Sequence, residues 1–136
     1  MNNFLSIKRA YLAISLSNRP KLEEELGHIQ SILKETGIEV FIFVDHYHFS
    51  KEQEKEMMQT AFREIDRSDL LIAELSKKAI GVGVEVGYAH AKGIPVLYLR
   101  QELSEPSTTV AGSSTYQIVY QNPKDLKQQL DFLFRS

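Results

Sequence analysis

The sequence of 136 residues contains no cysteine. This absence excludes thiol catalysis, disulfide bonds and zinc sites that use cysteine ligands. Long apolar runs are missing as well, because none approaches the roughly 18 to 20 residues of a membrane span. The first residues do not resemble a secretory signal peptide. We therefore expect a cytoplasmic protein that has no membrane partner.

The chain also lacks an excess of positive charge. It carries 16 lysine and arginine residues against 18 aspartate and glutamate residues, so its formal net charge is -2. Proteins that bind nucleic acid usually present a basic surface, and we therefore expect no nucleic-acid partner. Hydrophobic residues account for 43% of the sequence and charged residues for 25%. These fractions and the length predict one globular domain over residues 1–136.

Apolar runs typical of strands alternate along the chain with segments of helical periodicity. The predicted strands comprise residues 10–14, 40–44, 69–75, 94–99 and 116–120. Helical patterns begin at Pro20, Ser50, Gly81 and Pro123, and the polar residues 100–115 predict a loop or a short helix. Strands that are apolar on both faces and separated by helices indicate a parallel sheet covered on both sides. We predict a three-layer α/β fold, flavodoxin-like or Rossmann-like, with five parallel strands in the order 2-1-3-4-5.

The most distinctive feature is Glu85, a lone carboxylate in the run Ala79–Ala89, which is otherwise apolar and contains three glycines. Ligands of such folds bind beyond the carboxyl ends of the strands, between the first and the third. Glu85 is predicted to lie there, near the start of a helix, where the helix dipole favours an ionised carboxylate or a bound anion. The alternative is that the glycines serve packing and that Glu85 only matches the dipole.

Three runs carry a resemblance to a known family: residues 68–74, 81–89 and 93–97. They resemble the nucleoside 2-deoxyribosyltransferase family, and most closely its branch of 2'-deoxynucleoside 5'-phosphate N-hydrolases. The resemblance implies cleavage of the N-glycosidic bond of a nucleoside or a nucleotide, by hydrolysis or by base exchange. It implies that Glu85 attacks the anomeric carbon, and that the chain forms a homodimer or a higher homo-oligomer with shared active sites. We expect no cofactor.

The sequence departs from the family pattern at two positions. The hydrolase branch has a phosphate-binding serine six residues before its glutamate, where this chain has Ala79. The family also has an aspartate on the preceding helix, and an ungapped count places Ala61 there. Ser107 could match a second serine that contacts phosphate and, in the hydrolases, reaches the neighbouring subunit. The preference for a nucleoside or for its 5'-phosphate therefore stays open.

Two other carboxylates are candidates for the catalytic acid. Asp66 lies near the end of the predicted helix that begins at Ser50. The alternative is that it is an ordinary solvated helix residue. Glu74 is the better candidate because it ends a strand, and function in such sheets lies beyond the strand ends. With Glu85, these residues form the predicted catalytic set.

Further residues are predicted to bind substrate. Gly81 and Gly83 let a ligand approach the backbone closely, and Tyr47 could stack on a base. The complete substrate-binding set comprises Ser15, Leu16, Ser17, Asn18, Tyr47, His48, Ala79, Gly81, Gly83 and Ser107. His46 and His48 have no third ligand at a fixed spacing, so we expect no metal.

Two other functions compete with the first. One is an NAD-cleaving domain of the TIR-like type, which would use a glutamate after a strand with a Ser68-Asp69 start and an Ile72-to-Ser76 pattern. The other is a non-catalytic module that binds a nucleotide and has kept only the fold. The run of glycines and valines before Glu85 favours the glycosidase or transferase.

Overall fold

The computed structural model describes residues 4–135. Its centre is a single sheet of five parallel strands in the order β2-β1-β3-β4-β5. The strands are β1 Arg9–Ile14, β2 Glu39–Ile42, β3 Leu70–Glu74, β4 Val96–Gln101 and β5 Tyr116–Tyr120. The predicted fold class and strand order are confirmed.

Helices connect the strands and cover both faces of the sheet. They are α1 Glu23–Glu35, α2 Phe43–His46, α3 Glu54–Asp66, α4 Ile80–Ala91, α5 Thr108–Gly112 and α6 Pro123–Arg135. Short 3-10 turns at Arg19–Leu22 and Lys51–Gln53 precede α1 and α3. As predicted, Pro123 begins α6, where its missing N–H has no intrahelical partner to lose.

The sheet separates two hydrophobic cores. Alternate residues of a strand point to opposite faces, so Leu12 packs into the layer formed with α1 and α6. Its neighbour Tyr11 packs into the other layer, with α3, α4 and α5. In β3 the same alternation places Ile72 in the first layer and Ala73 in the second. The parity of a residue within its strand therefore decides which side of the sheet it serves.

Several strand boundaries differ from the prediction by one or two residues, and two of them have an evident cause. Strand β2 ends at Ile42, and Phe43 and Val44 begin the short helix α2 instead. As an edge strand, β2 pairs only with β1, and the last pair in that ladder is Leu12 with Ile42. Strand β4 begins at Val96 because the N–H of Ile94 donates to the carbonyl of Ala89 and closes the end of α4.

Candidate active site

Glu85 lies in the second turn of α4, whose N-cap is Ala79 and whose first turn contains no acidic residue. The position near the helix start is as predicted, but the expected effect on the ionisation of Glu85 does not follow from it. The unpaired N–H groups belong to the first turn, and the favourable effect of the dipole falls off beyond it. The ionisation of Glu85 must depend on its other neighbours.

The partner of Glu85 is Tyr11, whose hydroxyl donates a hydrogen bond to Glu85 Oε2. Tyr11 is fully buried in β1 and faces the layer that contains α4. The two residues are 74 positions apart. No local sequence pattern identifies this pair, although the alternation of β1 does place Tyr11 on the face that α4 covers.

Burial and the hydrogen bond act on Glu85 in opposite directions. Removal from water is the larger effect and raises the pKa of Glu85 to about 7, whereas the hydrogen bond from Tyr11 lowers it. Burial and the negative charge of Glu85 raise the pKa of Tyr11 well above its ordinary value. The phenol therefore stays protonated and remains a donor, while the carboxylate changes its charge near neutral pH.

Glu85 lines a cavity of about 230 Å³ at the carboxyl ends of β1 and β2. Apolar side chains of α3 and α2, including Met57, Met58 and Phe43, form much of its wall. Four of the predicted substrate-binding residues also line this cavity: Ser15, Leu16, Ala79 and Gly81. The carboxylate thus faces a space that is mostly apolar, which explains the raised pKa.

Two predicted binding residues line a neighbouring cavity of about 270 Å³. Gly83 and Ser107 lie there, and Ala79 contributes to both cavities. The hydroxyl oxygen of Ser107 accepts a hydrogen bond from the N–H of Val110 and caps α5. Ser107 and Glu85 therefore line different cavities, and Ala79 borders both.

Other predicted binding residues lie outside the wall of the Glu85 cavity. The N–H of Asn18 donates to the carbonyl of Ser15, and Asn18 is buried in that turn. The Tyr47 hydroxyl donates to Glu64 Oε2 at 2.8 Å, so a structural bond already occupies it. His48 is exposed. The structure does not bring these three residues to Glu85.

A chain of hydrogen bonds at the rim of the Glu85 cavity includes Lys77, which is outside the predicted substrate-binding set. Lys77 Nζ donates to Ser17 Oγ at 2.8 Å, and Ser17 Oγ lies 3.0 Å from Ser15 Oγ. Ser15 also lines the Glu85 cavity. An ammonium group and two hydroxyls therefore connect the loops after β3 and β1. A lysine on a loop is usually solvated, and the sequence contains no signal that pairs Lys77 with Ser17.

The two predicted partners of Glu85 in catalysis are found elsewhere. Glu74 has the opposite parity to Ala73 in β3, and its carboxylate accepts a hydrogen bond from Tyr120 in the α1 and α6 layer. Asp66 is exposed, accepts a hydrogen bond from the Tyr88 hydroxyl and lies 3.9 Å from Lys92 Nζ. Their positions do not support the role of a catalytic acid beside Glu85.

The described residues contain no group of three or more histidine, cysteine, aspartate or glutamate residues placed to hold a metal ion. Within residues 4–135, no helix has the length and the apolar character that a membrane crossing requires.

Comparison with known proteins gives one family and a consistent fold. The sequence model of the nucleoside 2-deoxyribosyltransferase family matches residues 10–119. A curated relative, "Putative 2'-deoxynucleoside 5'-phosphate N-hydrolase 1" of Syntrophotalea carbinolica, is 39% identical over 69 residues. That match covers 51% of this chain and 44% of the relative, so the chain spans less than half of the relative's length.

Two solved structures share the fold. A CMP N-glycosidase from Clostridium botulinum superposes with a TM-score of 0.66 and 24% identity, over 92% of this chain and 99% of the other. A 2-deoxyribosyltransferase from Bacillus psychrosaccharolyticus gives a TM-score of 0.68 and 17% identity, over 90% and 95% of the two chains.

Proposed function

The chain belongs to the nucleoside 2-deoxyribosyltransferase family, and from this membership we propose that it cleaves the N-glycosidic bond of a nucleoside or a nucleoside 5'-monophosphate. The family resemblance predicted from the sequence is confirmed. The observation that carries the proposal is a carboxylate at the wall of a cavity, held by a buried phenol.

In the proposed reaction Glu85 is the nucleophile. One of its oxygens bonds to C1' of the sugar while the bond from C1' to the base nitrogen breaks, and that electron pair leaves with the base. The sugar passes through an oxocarbenium-like state, which a carboxylate on one ring face stabilises. Attack on the resulting ester by water releases the sugar, and attack by a second base forms a new nucleoside.

Tyr11 has a positioning role in this proposal. Its hydroxyl holds one oxygen of Glu85 and favours the ionised form, which is the reactive one. The apolar wall formed by Phe43, Met57 and Met58 suits the flat face of a base. Most small-molecule sites combine such apolar walls with a few placed polar groups.

The rim chain of Lys77, Ser17 and Ser15 supports a 5'-phosphate at the other end of the substrate. It offers one positive charge and two hydroxyls next to the cavity. Ala79 has no hydroxyl where the family has a phosphate-binding serine. We propose that Lys77, Ser17 and Ser15 together replace that phosphate contact. A phosphate binds to such a group by charge-assisted hydrogen bonds.

The TIR-like alternative receives no support from its own motif. Ser68 Oγ donates to the carbonyl of Glu64, and Asp69 accepts hydrogen bonds from the N–H groups of Lys8 and Arg9. Both residues precede β3 and therefore lie at the amino edge of the sheet, away from Glu85. The pattern secures the start of a strand.

A homo-oligomer is part of the proposal, and one face of α4 supports it. Ile80, Val84, Gly87 and Ala91 recur at helical spacing and are exposed, Ile80 to 90% and Val84 to 46%. An exposed apolar stripe of this kind is typical of a surface that packs against another chain. A cytoplasmic location stays a prediction from the sequence.

The function is tested by incubating the protein with purine and pyrimidine deoxynucleosides, ribonucleosides and their 5'-monophosphates. We expect free base by chromatography, and a new nucleoside when a second base is added if transfer operates. Glu85→Gln should remove both products, because an amide is a poor nucleophile. If calorimetry detects nucleotide binding but the wild-type protein turns over no substrate, the enzymatic function is contradicted and the non-catalytic module is favoured. Nicotinamide release from NAD alone would favour the TIR-like reaction.

A further inference from the structure

The carboxylate of Glu74 is fully buried at the carboxyl end of β3. Its oxygens accept three hydrogen bonds, from Ser76 N at 2.9 Å, from Ser76 Oγ at 2.7 Å and from the Tyr120 hydroxyl at 2.6 Å. Burial raises the pKa of Glu74. Removing a carboxylate from water is costly, and hydrogen bonds such as these offset that cost.

These bonds connect the ends of three neighbouring strands. Ser76 Oγ, which donates to Glu74, also accepts from the N–H of Gln101 at the end of β4. Tyr120 ends β5. Glu74 therefore joins β3, β4 and β5 at the edge of the sheet where the candidate active site lies.

The segment that Glu74 secures leads directly to the wall of the cavity. After Ser76 the chain continues through Lys77, whose ammonium group reaches Ser17 at the rim. Ala79 and Gly81 then line the cavity, and α4 presents Glu85 to it. A displacement of Ser76 would move the starting point of α4.

We infer that Glu74 is a positioning residue for the proposed reaction, which fixes the segment from Ser76 to Gly81 and thereby places α4 against the cavity. It acts through this segment and does not touch the substrate. The inference rests on the proposed function because activity is one of its readouts. It replaces the predicted role of Glu74 as an acid with a structural contribution to the geometry of the site.

Two variants separate positioning from acid catalysis. Glu74→Gln keeps a carbonyl oxygen for the N–H of Ser76, and its amide can donate to the two hydroxyls, so we expect most of kcat to remain. Glu74→Leu removes all three bonds, and we expect kcat to fall by about tenfold or more, since small misplacements of reacting groups have effects of this size. An acid would lose activity equally in both variants, and that outcome would overturn the inference.

Loss of stability alone is excluded by a matched control. Leu130→Ala weakens the same core layer through α6, which lies away from the segment. At a temperature where both variants are folded, Leu130→Ala should retain kcat and Glu74→Leu should not. If Glu74→Leu does not fold, Ser76→Ala, which removes only the hydroxyl contacts, should show a smaller loss in the same direction. Unchanged kcat in the folded variants would refute the positioning role.

Hydrogen–deuterium exchange tests the same inference without any substrate. The peptide that covers residues 75–81 should exchange faster in Glu74→Leu than in Glu74→Gln or the wild type, whereas peptides of α1 should not change. Wild-type exchange in Glu74→Leu would overturn the inference even if the protein is active. Faster exchange in a protein that cleaves no substrate would instead show that the proposed function has failed while the segment is fixed as described.

Discussion

At the scale of single residues, the hydrogen bond from Tyr11 is the influence that lowers the pKa of Glu85. Tyr11→Phe removes it, so the pKa of Glu85 should rise above its present value of about 7. The nucleophile must be ionised, and kcat/KM should therefore rise with pH along a limb that lies at higher pH in the variant. Profiles of kcat/KM from about pH 5 to 9 measure this shift directly.

Tyr98→Phe is the matched control for that change. Tyr98 packs in the same core layer, and its hydroxyl accepts a hydrogen bond from the N–H of Ser107 at 3.0 Å rather than contacting Glu85. Its profile should keep the wild-type midpoint. An unshifted midpoint in Tyr11→Phe would mean that the phenol does not influence the charge of Glu85.

The rim chain gives a second prediction for single residues. Lys77→Ala should raise KM for a nucleoside 5'-monophosphate by about tenfold, because one charge-assisted contact of roughly 1.5 kcal/mol or more is lost. KM for the corresponding nucleoside should change little. Steady-state kinetics with both substrates measure the difference.

Lys78→Ala is the control at the adjacent position. Lys78 Nζ lies 3.1 Å from Glu105 Oε1 and takes no part in the hydrogen bonds that join Lys77, Ser17 and Ser15. It should leave both KM values near those of the wild type. An equal effect of the two variants would indicate only a general electrostatic attraction.

The sequence predicts these residues unequally. Glu85 is recognisable because a lone carboxylate in an apolar, glycine-rich run is unusual, and that signal is local. Its partner Tyr11 and the rim residue Lys77 depend on contacts between segments that are distant in the chain. Glu74 ends a strand, as the sequence predicts, but its parity in β3 turns the carboxylate to the opposite face of the sheet from Glu85.

At the scale of elements, most strands and helices follow from apolar periodicity and from their flanking glycines and prolines. The end of β2 cannot be located from this periodicity, because Phe43 and Val44 suit a strand as well as a helix. The ring of Tyr47 contacts the rings of Phe41 and Phe43 there. These contacts and the single neighbouring strand decide the boundary, and neither is visible in the local sequence.

The glycines of α4 give a prediction at this scale. A Cβ atom added at Gly81 would meet no other atom within 4 Å, so Gly81 is not required for packing in the described fold. Gly81→Ala should leave the fold intact and stabilise α4 by up to about 1 kcal/mol. It should also raise KM, because Gly81 lines the cavity and the new methyl group would restrict the approach of substrate.

Gly27→Ala is the control for the effect on the helix. Gly27 lies in α1, and a Cβ atom there also meets nothing within 4 Å. Thermal unfolding should show a higher Tm for this variant too, with KM unchanged. If Gly81→Ala has the wild-type KM, open space at Gly81 is not used by the substrate.

At the scale of the whole molecule, the raised pKa of Glu85 links stability to pH. In the native state Glu85 keeps its proton up to about pH 7, whereas in the unfolded chain it loses the proton near its ordinary pKa of 4.5. The native state therefore binds more protons in this interval, and the contribution of Glu85 to the free energy of unfolding falls as pH rises through it. The decrease is on the order of 3 kcal/mol from the size of the shift.

Glu85→Gln removes this dependence, since the amide does not ionise and still offers Tyr11 an acceptor. The variant should resemble the wild type in stability below about pH 4.5 and exceed it above about pH 7. Denaturant unfolding at several pH values measures the difference in free energy of unfolding between the variant and the wild type. The contributions of the other carboxylates cancel in this difference. A gap that stays constant with pH would show that Glu85 titrates normally in the folded protein.

The strand order could be predicted for the whole molecule because right-handed crossovers leave few topologies for alternating strands and helices. The surface for the proposed assembly could not be predicted in this way, because an exposed stripe is recognisable only after helix α4 has been packed. Ile80 and Val84 are apolar and would be assigned to the core from the sequence alone, yet they face outward. Surface exposure, rather than composition, marks them as a candidate interface.

Assembly through the exposed face of α4 is the last prediction. Val84→Lys places a charge in the middle of the stripe, and burying that charge in an interface is costly. Light scattering should show a dimer or larger oligomer for the wild type and a monomer for the variant, with lower activity if the sites are shared.

Phe132→Lys is the control for this change. Phe132 is 78% exposed on α6, across the sheet from α4. A lysine there should leave the assembly intact. A monomeric wild type, or an oligomer that Val84→Lys leaves unchanged, would exclude α4 as the interface.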